Sequence, residues 1–394
     1  MMTRTLLAGL MALGLSIPMA NVSAQSPTQS RLGTSDQQAL YRPVKCDERK
    51  VYQGRPAYSP AFTSMAQFAP LSDDINRIVN TAHLSQAFAE AQKNAKAKNL
   101  SVALATPDGR LWQSTTADDQ LFYWASATKT YTAVAVLQLV DEGKLSLADR
   151  LSRWEPGMPN AKHITIRDLL AHTSGLFSAN EDPDWREKDS RQMTAKHHDA
   201  ILKKRGAMFC PGQFWRYSNS GYTLLGRIVE QVEGKPFAEV LQTRVIDKLG
   251  LKETIVVTPE NARRVVPLET DGDEVVLDIT GPGAAGPVAA SAGDMARFWA
   301  ALLSNQLISS KMREAMFDTM LPMFDITTYY GLGVMLVDTP IAGGRLVMLG
   351  HGGDAPGVNA WVGYDIKRKR IVSVALTGDG SAAAVANYML RASD

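Results

Sequence analysis

The stretch from Lys129 to Glu142 has helical length, and Ala133, Val134, Val136, Leu137, Leu139 and Val140 leave it almost no polar side before Gly143 closes it. A helix that is apolar all round cannot lie on a surface; other elements must enclose it. The pattern therefore predicts a central helix with the rest of the chain layered around it. At 394 residues and 45% hydrophobic content, the chain can bury one large core or two moderate ones. Its 42 basic and 40 acidic residues give a net charge of +2. That balance supplies no field for phosphate backbones or anionic lipid and argues against nucleic-acid binding.

The flanking patterns say how the layers are built. Apolar spacing at Ile75, Ile78, Val79, Leu84, Ala87, Phe88 and Ala91 suits an amphipathic helix over residues 73–94. A hairpin follows, with strands 101–105 and 111–115 about the Pro107-Asp-Gly109 turn. Residues 155–285 read as mainly helical, with segments at 166–170, 222–232 and 237–249, and further helices fit 291–303 and 310–320. Strand character returns at 330–337, 345–349, 360–364 and 371–377, and a last helix fits 381–391. Strands at both ends of the core predict a mixed α/β fold of the α+β type. One antiparallel sheet, flanked by helices, would join the early hairpin to the late strands around an inserted helical region. The expected core is 71–394, with 155–285 as its mainly helical subdomain. Residues 25–70 form an extension that lies on the body or stays mobile.

The first 24 residues read as an export signal. Arg4 gives the positive start, Leu6–Leu15 an apolar run too short to span a bilayer, and Val22-Ser23-Ala24 a small-x-small cleavage site. A short membrane anchor is the alternative. No later segment approaches spanning length without charges, so the expected location is periplasmic or secreted, with no integral membrane segment after cleavage. Cys46 and Cys210 are the only cysteines; an oxidising compartment permits a disulfide, and two free thiols are the other reading.

Ser126-Ala-Thr-Lys129 stands where the buried helix begins. On a first helical turn, positions i and i+3 share a face, so hydroxyl and ammonium can meet, and the unpaired N–H groups of the turn can hold an oxyanion. Burial lowers a lysine's pKa and makes it a base for the weakly nucleophilic serine. The bland reading is an N-capping serine with a solvated lysine. Tyr217-Ser-Asn219 offers a phenol that a nearby ammonium would make easier to ionise, and an amide for a substrate carbonyl; a packed tyrosine and a turn asparagine are the default. Gly350-His351-Gly352-Gly353-Asp354 reads as a glycine-rich connection where backbone can approach a ligand. The adjacent His197 and His198 would point apart on a helix, and no partner completes a metal site. No cofactor is implied.

The order of these three elements resembles that of the class C β-lactamases and D-Ala-D-Ala carboxypeptidases, the penicillin-recognising serine hydrolases, which include esterases. Leu169-Leu-Ala-His-Thr-Ser-Gly-Leu176 and Tyr217–Gly226 are also similar to the family, and the likeness covers roughly residues 73–390. It implies a β-lactamase/transpeptidase-like fold and an acyl-enzyme at Ser126. Lys129 and Tyr217 would be the proton-transfer pair, Asn219, His351, Gly352 and Gly353 substrate contacts, and the N–H groups of Ser126 and Asp354 the oxyanion donors. Lysine is usual in the β-lactamases where this chain has His351, which points to a D-amino-acid-containing peptide or amide, or a small ester, ahead of a β-lactam. A class C-like β-lactamase and a non-catalytic or slowly deacylating penicillin-binding protein are the alternatives. His172 is expected to be scaffold. Oligomeric state is not implied.

Overall fold

The computed structural model describes residues 43–58, 65–72, 81–183, 194–269, 278–341 and 344–394. The expected export signal, and the start of the helix expected from residue 73, lie outside them. Helix α1 (Thr81–Asn94) turns Leu84, Ala87, Phe88 and Ala91 inward, one face of a 3.6-residue repeat. The hairpin of β1 (Ala97–Ala105) and β2 (Leu111–Thr115) reverses at Gly109, whose φ of +87° suits a residue without Cβ. Strand β3 (Phe122–Tyr123) leads through a 3-10 turn, Ala125–Thr128, into α2 (Lys129–Asp141), buried continuously from Lys129 to Leu139.

The helical region contains α3 (Ile166–Leu170), α4 (Ala195–Arg205), α5 (Asn219–Glu233) and α6 (Phe237–Leu241), the last continuing as a wider π turn to Asp247. Thr165 and Asp168 form a reciprocal capping box at the start of α3, and Gly234 ends α5 in the left-handed conformation. Strands β4 (Thr254–Val256) and β5 (Val288–Ala290) join β3 in a small sheet. Then come α7 (Ala292–Leu303), α8 (Ser310–Phe317), β6 (Leu321–Pro322), β7 (Thr328–Tyr330), β8 (Met335–Ile341), β9 (Gly344–Ala355), β10 (Val358–Asp365), β11 (Arg370–Gly378) and α9 (Ala382–Ala392).

The main sheet has eight strands in the order β2-β1-β11-β10-β9-β8-β7-β6, with antiparallel neighbours throughout. The two ends of the core meet at its middle, where Leu100 lies opposite Leu376 and Val102 opposite Val374. Leu100, Val102, Leu104, Trp361, Val374 and Leu376 pack with the inward residues of α1 and α9. The alternate residues Ala103, Ala105, Ala360, Val362 and Ala375 pack with α2 and α7. Both faces are covered, so these strands read as nearly unbroken apolar runs.

Two local expectations change. The strand expected over 330–337 is broken between β7 and β8, because the chain there closes on the helices. A Cβ on Gly331 would lie 2.0 Å from the Met316 carbonyl oxygen, and one on Gly333 would lie 2.3 Å from Ala133 Cβ. The glycines of the third element do not form a connection either. They lie inside β9, which β10 pairs residue by residue through Ala355.

Residues 43–58 lie along the helical region. Val44, Lys50 and Gln53 donate their N–H groups to the carbonyls of Ala207, Pro211 and Gln213, and a disulfide joins Cys46 to Cys210 with Cα atoms 5.6 Å apart. The Arg49 guanidinium forks onto the fully buried carboxylate of Asp168.

Candidate active site

Ser126 lies not on the first α-helical turn but in the 3-10 turn ahead of it, and Lys129 is the first residue of α2. The three-residue pitch of that turn still sets the two side chains on one face. Ser126 keeps 9% of its surface exposed and Lys129 none. Lys129 Nζ is 3.0 Å from Ser126 Oγ and donates to the Ala285 carbonyl at 2.6 Å. The turn carrying Ala285 is pinned to the same elements, since Thr132 Oγ1 donates to the Ala284 carbonyl and Tyr123 Oη to that of Gly286. Among the described residues no carboxylate is paired with the ammonium, and burial holds the Lys129 pKa well below the usual lysine range. An amine in this setting is deprotonated readily, which leaves a lone pair for the serine proton.

Tyr217 presents its ring to the same nitrogen, with Lys129 Nζ 4.9 Å from the ring centroid. Its hydroxyl is buried and without a hydrogen-bond partner among the described residues. Burial pushes the phenol pKa up. The sequence predicts a phenol made easier to ionise by the ammonium; enclosure of the hydroxyl acts the other way and is the larger effect. Asn219 opens α5, with its N–H on Ser178 Oγ at 2.9 Å and its Nδ2 on Asn180 Oδ1 at 3.0 Å. Its Oδ1 is buried and has no hydrogen-bond partner among the described residues. Ser178 and Asn180 were not singled out in the sequence. The signal was the short polar run directly after the His-Thr-Ser-Gly-Leu stretch, which becomes structural only once α5 lies beside it.

The third element comes to the serine as the edge of β9. Strand β8 pairs with β9 only from Gly344 to Gly350; from His351 onward β10 is the one strand partner among the described residues. Alternate backbone groups of residues 351–355 are therefore outside the ladder. A Cβ on Gly353 would lie 2.0 Å from the Trp124 carbonyl oxygen and 3.0 Å from Ala127 N, so the missing side chain is what lets β9 lie against the Ser126 turn. Asp354 follows, its Oδ1 accepting from Asn359 Nδ2 at 3.1 Å.

His351 differs most from its expected placement. The register that sets it opposite Val362 turns the ring into the interior, where it is 0% exposed. Nδ1 donates to the Gly352 carbonyl at 2.7 Å, which leaves Nε2 to accept from the Tyr330 hydroxyl at 3.0 Å. Burial and the nearby Lys129 push its pKa down to about 3. An enclosed neutral imidazole does not bring a positive charge to a substrate carboxylate. Arg216, the cation next to Tyr217 in sequence, is paired with Glu181. His197 is exposed at the start of α4, whereas His198 is buried with Nε2 3.0 Å from Ser220 Oγ. Among the described residues no group of three or more His, Cys, Asp or Glu side chains is placed to hold a metal ion.

Comparison with known proteins identifies the family and the fold. A family model described as Beta-lactamase matches residues 84–393. A penicillin-binding protein of Bacillus subtilis is 31% identical over 283 residues, which are 64% of this chain and 60% of that protein. Esterase EstB of Burkholderia gladioli is 32% identical over 179 residues, 40% of this chain and 44% of that one. The chain thus spans about half the length of the curated relatives it matches. Among solved structures, a D-stereospecific amidohydrolase from Streptomyces superposes with a TM-score of 0.66 at 27% identity, over 77% of this chain and 96% of its own.

Proposed function

The chain belongs to the β-lactamase family, and from that premise we propose that it is an exported serine hydrolase acting on neutral esters or D-amino-acid amides. One observation carries the proposal: a fully buried lysine, with no counter-ion among the described residues, lies 3.0 Å from a serine hydroxyl at the start of the central helix. Lys129, whose pKa burial lowers, accepts the Ser126 proton as Oγ attacks the substrate carbonyl carbon. The oxygen of the tetrahedral intermediate takes its negative charge between the N–H groups of Ser126 and Asp354. Tyr217, a protonated phenol at rest, passes a proton to the departing alcohol or amine and recovers one through Lys129. An ester now joins the acyl group to Ser126, and water attacks it with the same groups in reverse. Asn219, fixed by Ser178 and Asn180, receives the substrate amide.

Substrate class follows from charge. The third element offers no cation, because His351 is neutral and enclosed. A carboxylate beside the scissile bond, as in a β-lactam or a peptide ending in D-alanine, would lie unpaired against it at a cost of roughly 1–3 kcal/mol or more. Uncharged amides and esters carry no such penalty, and the D-stereospecific amidohydrolase and esterase relatives support that side. The Cys46–Cys210 disulfide supports export, since such bonds persist in oxidising compartments. We further assign residues 1–24 to a removed leader, 25–70 to an extension and 71–394 to the hydrolase domain, with 155–285 as its helical part.

The experiment compares kcat/KM for a short nitrophenyl ester, D- and L-phenylalanine amide, and benzylpenicillin. Turnover of the ester and the D-amide, with penicillin at least about a hundredfold poorer, is the expected result. Penicillin hydrolysis as efficient as ester hydrolysis would overturn the substrate assignment.

A further inference from the structure

His172 sits on the turn after α3, is 1% exposed, and holds a φ of +59°, unusual for a residue with a side chain. Its carbonyl accepts the N–H of Arg216 at 2.9 Å, and its ring Nδ1 accepts the N–H of Ser218 at 3.1 Å. These two bonds fall one residue before and one residue after Tyr217. The ring itself lies 4.3 Å from the Tyr217 ring and 4.5 Å from that of Tyr330, whose hydroxyl meets His351. Because Nδ1 accepts from a backbone N–H, a neutral ring carries its proton on Nε2, and that atom is buried without a partner among the described residues.

We propose that His172 is a positioning residue for Tyr217: it clamps the backbone on both sides of the tyrosine and backs its ring, so that the phenol is held over Ser126. This rests on the reading of Tyr217 as the proton-transfer partner of Lys129. A histidine that only filled core space would need neither nitrogen. Here one nitrogen and the main-chain oxygen are both committed to the three-residue segment, 216–218, that carries the phenol. The left-handed turn is what brings both acceptors to the same strand of chain. The clamp also reaches the third element, since Tyr330 lies between the rings of His172 and His351. The second and third signature elements thus share one aromatic support.

The test uses His172→Asn, His172→Gln and His172→Leu in the full protein, with kcat, KM and Tm read for each on the nitrophenyl ester. The amide oxygen of asparagine can take the place of Nδ1 and its backbone tolerates positive φ; glutamine, one methylene longer, carries its oxygen to the place of Nε2. The Leu and Gln variants should lose about 10- to 100-fold in kcat, with KM changed by less than about threefold, because the phenol is displaced while substrate contacts remain. The Asn variant should recover kcat to within about threefold of the parent. Should the Leu variant fail to fold, the Asn and Gln pair decides. Equal kcat for Asn and Gln, or wild-type kcat in all three, would overturn the proposal. A parent protein that never acylates Ser126 is a separate result, visible before any variant is made, and refutes the underlying reading of Tyr217 itself.

Discussion

Replacing both Cys46 and Cys210 by serine should lower the melting temperature by about 6 °C without altering the site. The disulfide closes a loop across 164 positions. In the chain-entropy account, cross-linking a loop of that size removes about 17 cal/mol/K from the unfolded ensemble, or about 5 kcal/mol at 25 °C. Unfolding entropy near 2.1 cal/mol/K per residue over 394 residues is about 0.8 kcal/mol/K, and the quotient is a fall of about 6 °C. In the folded state the segment is also held by the backbone hydrogen bonds of Val44, Lys50, Gln53 and Tyr58 and by Arg49 on Asp168. Ester turnover at 25 °C should therefore stay within about twofold of the parent. Calorimetry of the double variant, and of the parent with reductant, alongside ester kinetics, checks both halves. A shift below about 1 °C would refute the unfolded-state argument. Loss of kcat at 25 °C would mean that the bond shapes the site directly.

Gly353→Ala places a methyl 2.0 Å from the Trp124 carbonyl oxygen, so β9 or the Ser126 turn must shift. Acylation should fall about a hundredfold, read as a burst rate, with the fold intact by circular dichroism. His351 is neutral in the folded state with a pKa of about 3, whereas in the unfolded chain it titrates near 6.5. The unfolded chain therefore binds the extra proton: this contribution is fully present above about pH 6.5 and is lost as pH falls, by about 3 kcal/mol at pH 4. Denaturation midpoints from pH 7 to 4 should show a slope shallower by about one proton in His351→Gln than in the parent. Lys129 has a pKa well below the usual lysine value, so kcat/KM should rise as pH climbs through that lowered pKa and stay flat beyond it. An acid limb near pH 10 would contradict a neutral resting amine. Lys129→Arg, charged at every accessible pH, should lose about a thousandfold or more in kcat.

Much of the fold was legible because it depends on patterns local in sequence. The all-apolar sequence of 129–142 became the central helix, and the nearly unbroken apolar runs near 101 and 374 became paired strands, because each pattern must be enclosed on every side. Where the reading failed, distant chain decided. The break between β7 and β8 is set by how closely Gly331 and Gly333 approach α8 and α2, which no pattern around residue 331 encodes. The glycines of the third element look like loop residues, yet β10 pairs with them and the Ser126 turn needs the space they leave. The catalytic candidates were found through residue types at characteristic spacing; their protonation was not. Neither the raised pKa of Tyr217 nor the enclosure of His351 can be inferred without knowing what surrounds them. Asn180 and His172 act through residues about forty positions away, a relation fixed only when α5 packs beside the turn after α3.

The most direct test of the central claim is the mass of the protein after brief exposure to an activated ester, followed by peptide mapping of the adduct. The account predicts a single acyl group on Ser126, absent from Ser126→Ala and formed far more slowly in Lys129→Arg. Acylation at another residue, or an Ser126→Ala protein that still turns the ester over at the parental rate, would contradict it.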